Sequence, residues 1–183
     1  MRAARIDASS VFVVVAVVSD REQEEFREVL MDIERAAGTV EHKWHKSHSP
    51  KRLRYLELAV GRDAGRGEVF FGCYRKPLPY FVPMIEVVER AIKAKAAPFY
   101  TARVIVDGID RQKGAQLTNA LRLRAVSLEM VRSQRDESEP VIRLADMWAG
   151  CIRAANLGKR AEKDILQRAI EAGYITRLNE KTP

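Results

Sequence analysis

Two aspartates stand at the ends of predicted strands, a position where α/β proteins commonly bind their ligands. Asp7 ends the first predicted strand, directly before the small residues 8–10. Asp107 ends the strand at about 100–106, and Gly108 follows it. Charged side chains at the carboxyl end of a buried strand lie where such sheets form their crevices. Both aspartates are therefore candidate ligand-binding or catalytic residues, and the alternative is that each caps a turn.

A third aspartate, Asp146, lies inside a predicted helix that is apolar nearly all round. Such a helix is expected to be buried, and an isolated charge is too costly in that environment. The carboxylate is therefore predicted to be paired, protonated or bound to a metal ion. A salt bridge to Arg143 or Arg153 is the alternative to a metal site. Its small neighbours, Ala149 and Gly150, would let the helix lie close to the sheet.

The segment 41–48 holds a fourth acidic candidate, Glu41, and all three histidines of the chain. A loop of His and Lys around an indole is typical of a segment that contacts phosphates and stacks on bases. The residues expected to contact such a substrate are Lys43, Trp44, Lys46 and Arg54. Two alternatives remain, a solvated basic loop and a zinc site on the histidines, which are spaced by three. The interleaved lysines would repel a dication.

The elements that must position these residues alternate between strands and helices. Apolar runs predict strands at about 5–7, 10–18, 68–74, 100–106 and 125–131, the last with Val126, Leu128 and Met130 on one face. Helical spacing, caps and terminal glycines predict helices at about 20–37, 79–96, 111–123, 140–156 and 160–172, and another that begins at Pro50. The Val-rich strand is expected to be central, with both faces covered. This order predicts a single α/β domain over 1–183, with its core at about 5–173, a mixed sheet and helices on both faces.

Composition excludes several classes of protein. The chain has 183 residues and 46% hydrophobic content, enough to bury a core, which argues against disorder. Its longest apolar run, Val11 to Val18, is far shorter than the roughly 18 residues of a membrane span, and the N-terminus lacks a signal core. A net charge of +7 modestly favours a nucleic-acid partner. Two cysteines without a pairing pattern predict a cytoplasmic protein, and the motifs of phosphate-cradling loops and nucleophile elbows are absent.

The order of these pieces resembles the bacterial and phage family called domain of unknown function 3800, which is ribonuclease H-like. The matching segments are Asp7-Ala8-Ser9-Ser10 for the family's Asp-Glu-Ser-Gly start, the strand 11–18, Glu41 to Lys46, Arg52 to Leu56, Val106-Asp107-Gly108, and Arg143 to Gly150. The last segment is similar to the family's Gln-x-Ala-Asp helix and is the most specific match. The chain departs from the family at Ala8, Ser10 and Arg143, where the family has Glu, Gly and Gln.

The resemblance implies a ribonuclease H-like nuclease that hydrolyses phosphodiester bonds with two Mg²⁺ or Mn²⁺ ions. It implies that the catalytic metal ligands are Asp7, Glu41, Asp107 and Asp146. Two close divalent ions need several carboxylate oxygens to offset their repulsion. The basic segment, residues 42–54, would hold DNA or RNA. The alternative is a nucleic-acid-binding or scaffold protein that kept the fold and lost the metals, as Ala8 and Arg143 suggest. A small-molecule enzyme is a third hypothesis, without a cofactor loop in the sequence to support it.

Overall fold

The computed structural model describes residues 11–21, 23–40, 42–134 and 139–179. The strands are β1 (Val11–Val17), β2 (Val69–Arg75), β3 (Ala102–Asp107), β4 (Leu128–Gln134) and β5 (Ile175–Arg177). The helices are α1 (Gln23–Ala37), α2 (Ser49–Gly61), α3 (Phe81–Lys95), α4 (Arg111–Leu123), α5 (Pro140–Asn156) and α6 (Arg160–Glu171). A short 3₁₀ helix covers Trp44–Lys46, within the segment expected to be irregular. The predicted strand at 5–7 lies outside the described residues.

The α/β class is confirmed, but the described strands form two small sheets rather than the single mixed sheet that the sequence predicts. In the first sheet β1 pairs antiparallel with β2, from Val11 opposite Arg75 to Val17 opposite Val69. The short β5, which the sequence did not predict, adds to β2 in parallel. Within the described residues β2 is therefore the middle strand, with its first five residues buried, while β1 is half-buried throughout. The expectation that the Val-rich strand is the fully covered central one is wrong for this part of the chain.

The second sheet consists of β3 and β4, which run parallel and are joined by the crossover helix α4. The expected strand start at residue 125 is wrong, because Ala125 has a positive φ and belongs to the turn that ends α4. The pairing of β3 with β4 also contains a β-bulge, since Ala102 pairs with Leu128 but Arg103 pairs with Met130. Such a bulge reverses the inward and outward positions beyond it. Met130 is exposed for that reason, against the sequence expectation.

Helices cover both faces of the first sheet, as expected. Val69, Phe71 and Cys73 point into a core shared with α1, α2, α5 and α6. The alternate residues point to the opposite face, where α3 contacts β1 and β2 and its Glu86 lies against Tyr74. A second core joins α3 and α4 to the two strands of the second sheet. Among the described residues, no helix is long and apolar enough to cross a membrane.

Helix α5 is the element that connects the other parts of the molecule. It contacts β1, β3, α1, α2, α6 and the 3₁₀ helix. One face, which includes Leu144, Met147, Trp148 and Ile152, is buried in the first core. Its N-terminus is fixed by Glu139, whose side chain accepts a hydrogen bond from the main-chain N–H of Val141. The side chains on the opposite face of α5 are thereby held in place on a rigid support.

Candidate functional site

The strand β3 presents Asp107 at its carboxyl end. Ala102, Val104 and Val106 pack into the second core. Residues two apart share a face of a strand, so Asp107 lies on the face opposite to that core. Its side chain is 49% exposed, and Gly108, with φ of 59°, turns the chain directly after it. Asp107 is therefore fixed at a strand end while its carboxylate stays accessible.

Helix α5 presents Asp146 on its half-buried face. The expectation that Asp146 is the buried charge of this helix is wrong, because α5 buries only one side. The buried charge is Arg143, whose guanidinium makes two hydrogen bonds to the Glu34 carboxylate of α1, at 2.6 and 2.9 Å. Arg153, the other partner considered for Asp146, is exposed. The carboxylate of Asp146 instead accepts a hydrogen bond from the main-chain N–H of Trp44, at 2.7 Å.

Trp44 is held on the half-buried face of α5 by several contacts at once. Asp146 and Gly150 are four residues apart and share this face. A Cβ atom built on Gly150 would lie under 3.0 Å from three atoms of the indole, so the ring packs directly on the glycine backbone. From α2, the Arg52 guanidinium lies 4.2 Å from the ring centre and donates to the Trp44 carbonyl oxygen at 3.3 Å.

These contacts bear on the expected role of Trp44. The indole is half-buried and packs against the first core, as is typical of a side chain that stabilises the fold. Its stacking on a nucleic-acid base stays a prediction. The missing side chain of Gly150 admits the indole of Trp44, and α5 itself packs against β1 of the first sheet. The contact with Gly150 does not follow from sequence spacing, since it joins segments that are distant in the chain. Arg52 is only eight residues from Trp44, and it comes from the neighbouring helix α2.

Lys43 connects the two aspartates through the residue that follows it. Its Nζ lies 3.9 Å from the Asp107 Oδ2 atom. The next residue, Trp44, donates its N–H to Asp146, so the dipeptide Lys43-Trp44 contacts both carboxylates. The Lys43 side chain is 24% exposed, whereas that of Asp107 is 49% exposed. An ammonium and two carboxylates at one surface can bind a phosphate ester or a cation.

The remaining predicted site residues have other surroundings or lie outside the described residues. Lys46 is exposed, and Arg54 donates from Nε to the Ala36 carbonyl oxygen at the end of α1, at 3.2 Å. The histidines His42, His45 and His48 are exposed. Among the described residues, no group of three or more His, Cys, Asp or Glu side chains lies together in a way that could hold a metal ion. Asp7 and Glu41 lie outside the described residues, so the four-carboxylate centre stays a prediction.

The thiol nearest to this site in sequence is Cys151, which follows Gly150. It is fully buried, and burial raises the pKa of the thiol to about 12. A thiol with such a pKa is protonated at neutral pH and is a poor nucleophile. Cys151 is therefore a packing residue of the first core rather than a reactive group of the site.

Known proteins offer no further guide to this arrangement. No family model, curated protein or solved structure matches the chain. The interpretation of the site therefore depends on its own residues.

Proposed function

We propose that this protein is a divalent-metal-dependent nuclease of ribonuclease H-like fold that hydrolyses phosphodiester bonds of nucleic acid. The observation that carries the proposal is the common contact of Asp107 and Asp146 with the dipeptide Lys43-Trp44. A strand end, the half-buried face of α5 and a basic segment thereby contribute to one surface. Two carboxylates and an ammonium suit a reaction whose substrate is anionic and whose cofactor is a cation.

The residues present fit a hard cation such as Mg²⁺ or Mn²⁺. Mg²⁺ is usually bound by one or two carboxylates together with water and substrate phosphate. Asp107 is half-exposed, and the hydrogen bond from Trp44 engages Oδ2 of Asp146, so Oδ1 can coordinate. A second ion needs further ligands, which we assign to Asp7 and Glu41. The bound metal would activate a water molecule and neutralise the leaving oxygen.

The chain's own residues would bind and orient the substrate. The Lys43 ammonium is close enough to Asp107 to exchange that carboxylate for a phosphate oxygen of the strand. Trp44 fixes the orientation of the Asp146 carboxylate through its main-chain N–H, and the packing on Gly150 fixes Trp44. Lys46 is exposed nearby in sequence and would contact a neighbouring phosphate. In hydrolysis, the oxygen of water forms a bond to phosphorus while one ester P–O bond breaks, leaving a phosphate and a hydroxyl end.

One observation favours the alternative of a nucleic-acid-binding protein that has lost the reaction. Asp107 and Asp146 already have partners within the chain, an ammonium and a main-chain N–H. Their charge is thereby offset without a metal ion. The departure at Arg143 is weaker support for this alternative, because that side chain is buried in a pair with Glu34.

The deciding experiment measures cleavage and metal binding on the same variants. Asp107→Asn and Asp146→Asn are expected to abolish Mn²⁺-dependent cleavage of labelled DNA and RNA and to weaken Mn²⁺ binding in calorimetry. Asp7→Asn and Glu41→Gln are expected to act in the same way. The matched control is Asp164→Asn, an exposed aspartate of α6. Full activity in the Asp107 or Asp146 variant would overturn the nuclease proposal, and Mn²⁺-independent nucleic-acid binding without cleavage would favour the alternative.

A cytoplasmic location belongs to the same proposal. The two cysteines, Cys73 and Cys151, are both buried and free. Structural thiols that stay reduced are typical of a reducing compartment.

A further inference from the structure

A pocket of about 480 Å³ lies beside the candidate site, at the carboxyl ends of β3 and β4. Its lining begins at Ile109, two residues after Asp107. It also includes Ser133, the neighbour of Gln134, which pairs with Asp107 across the two strands. The first turns of α4 close the other side. The volume is within the range of small-ligand sites, about 300–1,000 Å³. The chain therefore places an open pocket two residues beyond Asp107, which is not itself among the lining residues.

The charge in this pocket comes from two arginines. Arg111 and Arg132 both line it and are exposed, and neither forms an ion pair with any residue that the structure describes. The pocket also contains one carboxylate, Asp110, which is already engaged. Asp110 accepts a hydrogen bond from the main-chain N–H of Lys113 at 2.7 Å, and the Lys113 ammonium lies 3.7 Å from it. Of the charged groups that line the pocket, the two guanidinium groups are thus those without an ion-pair partner among the described residues.

An exposed aromatic ring is linked to the pocket through Lys113, whose ammonium lies beside the lining residue Asp110. Tyr80 is 48% exposed, and the Lys113 ammonium lies 5.3 Å from its ring centre. Cations next to an accessible ring are typical of surfaces that hold single-stranded nucleic acid, because backbone and bases are bound together. A small free anion would make no use of the ring.

We infer that this pocket binds backbone phosphate of a single-stranded nucleic acid through Arg111 and Arg132, with Tyr80 as a stacking surface. The planar guanidinium is suited to phosphate oxygens, which it can bind through two N–H groups. The inference rests on the proposed function, since it assigns the path of the strand that reaches Asp107. It adds a second region of contact to the basic segment around Lys43.

The test measures binding of a fluorescent twelve-nucleotide single strand by anisotropy, in EDTA, over a range of salt concentrations. Arg111→Gln/Arg132→Gln is expected to lower the affinity at low salt. Its salt slope should fall by about 1.4, because each single-strand phosphate contact contributes about 0.7. Tyr80→Ala should weaken binding with little change in slope. Arg111→Lys/Arg132→Lys keeps both charges and should largely restore the slope.

The matched control is Arg62→Gln/Arg122→Gln, which removes the same charge. Both of these arginines are exposed and form no ion pair with a described residue. Arg122 lies on the same helix as Arg111, about 16 Å further along it at 1.5 Å per residue. Equal slopes for the pocket variant, the control and the wild-type protein would overturn the inference. Displacement of the oligonucleotide by submillimolar pyrophosphate at matched ionic strength would overturn the assignment to a strand.

Binding in EDTA and cleavage in Mn²⁺ separate the two proposals. A wild-type protein that cleaves normally, with a pocket variant of unchanged affinity, would overturn the pocket alone. Pocket-dependent binding by a wild-type protein that never cleaves would overturn the nuclease proposal and support the pocket.

Discussion

Trp44 and Asp146 are joined by a hydrogen bond of 2.7 Å between the main-chain N–H of one and the carboxylate of the other, across 102 positions of sequence. The indole of the same tryptophan packs on Gly150, one helical turn beyond Asp146. The basic segment is thereby fixed to α5 at two points, through its backbone and through its ring. The position of Lys43 beside Asp107 follows from this attachment, because Lys43 precedes Trp44.

Gly150→Ala is expected to destabilise the protein. Alanine in the middle of a helix normally stabilises it by up to about 1 kcal/mol relative to glycine. Here the new Cβ would overlap the Trp44 ring, so the indole must move, at a typical cost of about 1–3 kcal/mol. The free energy of unfolding in urea measures the outcome.

Two further variants isolate the effect of the Trp44 contact. Gly61→Ala, at the end of α2, meets no heavy atom within 4 Å and should be neutral or stabilising. In a Trp44→Ala background the overlap is gone, so Gly150→Ala should stabilise the helix. A destabilisation of the same size in both backgrounds would contradict the assignment of Trp44 as the residue that requires glycine at position 150.

Asp146 has a positional role that can be separated from the proposed metal role. Asp146→Asn keeps an oxygen that accepts from the Trp44 N–H, so the loss of stability should stay within about 1 kcal/mol. Asp146→Ala removes the acceptor and should cost about 1.5–3 kcal/mol, the range for hydrogen bonds to charged groups. Urea unfolding and Mn²⁺ calorimetry together check this. A stable Asn variant that still binds Mn²⁺ as tightly as the wild-type protein would leave Asp146 with the positional role alone.

Local signals predicted the helix bounds well and the site geometry poorly, for a physical reason. The start of α4 follows from Asp110, whose carboxylate caps the first turn, and the start of α5 follows from Pro140. Such signals act within a few residues of the chain. By contrast, the environment of Asp146 depends on Trp44, which no spacing rule connects to it. The apolar pattern of α5 indicated that the whole helix, and therefore Asp146, is buried. The buried ion is instead Arg143, and the sequence does not reveal this because its partner Glu34 lies on another helix.

The strand errors have a similar origin. The alternation of residues 125–131 indicated that Met130 points inward, but the bulge opposite Ala102 and Arg103 reverses it. A bulge depends on the pairing of two strands, and the sequence of one strand does not reveal it. The three residues of β5 are too few for a periodic pattern, and they form a strand because β2 offers an edge to pair with.

Neutralising two lysines tests the basic segment. Lys43→Gln/Lys46→Gln is expected to weaken binding to all DNA sequences alike, because lysines contact the backbone rather than base edges. The salt slope on duplex DNA should fall by about two, roughly one for each lost phosphate contact. Lys159→Gln/Lys163→Gln, at two exposed positions at the start of α6, removes the same charge and should leave the slope unchanged. Equal slopes for both double variants would contradict a role for the segment in binding.

The buried pair of Glu34 and Arg143 explains why this chain tolerates an arginine at a buried position of α5. Both side chains are at most 4% exposed, and the guanidinium binds the carboxylate through two nitrogens. Arg143→Gln would leave the Glu34 carboxylate buried without its cation, and breaking such a pair costs about 3–5 kcal/mol. Glu34→Gln/Arg143→Gln removes both charges, so it should recover a large part of that loss. Urea unfolding of the single and double variants checks this. If the double variant is as unstable as the single one, the pair is not the reason that arginine is accepted here.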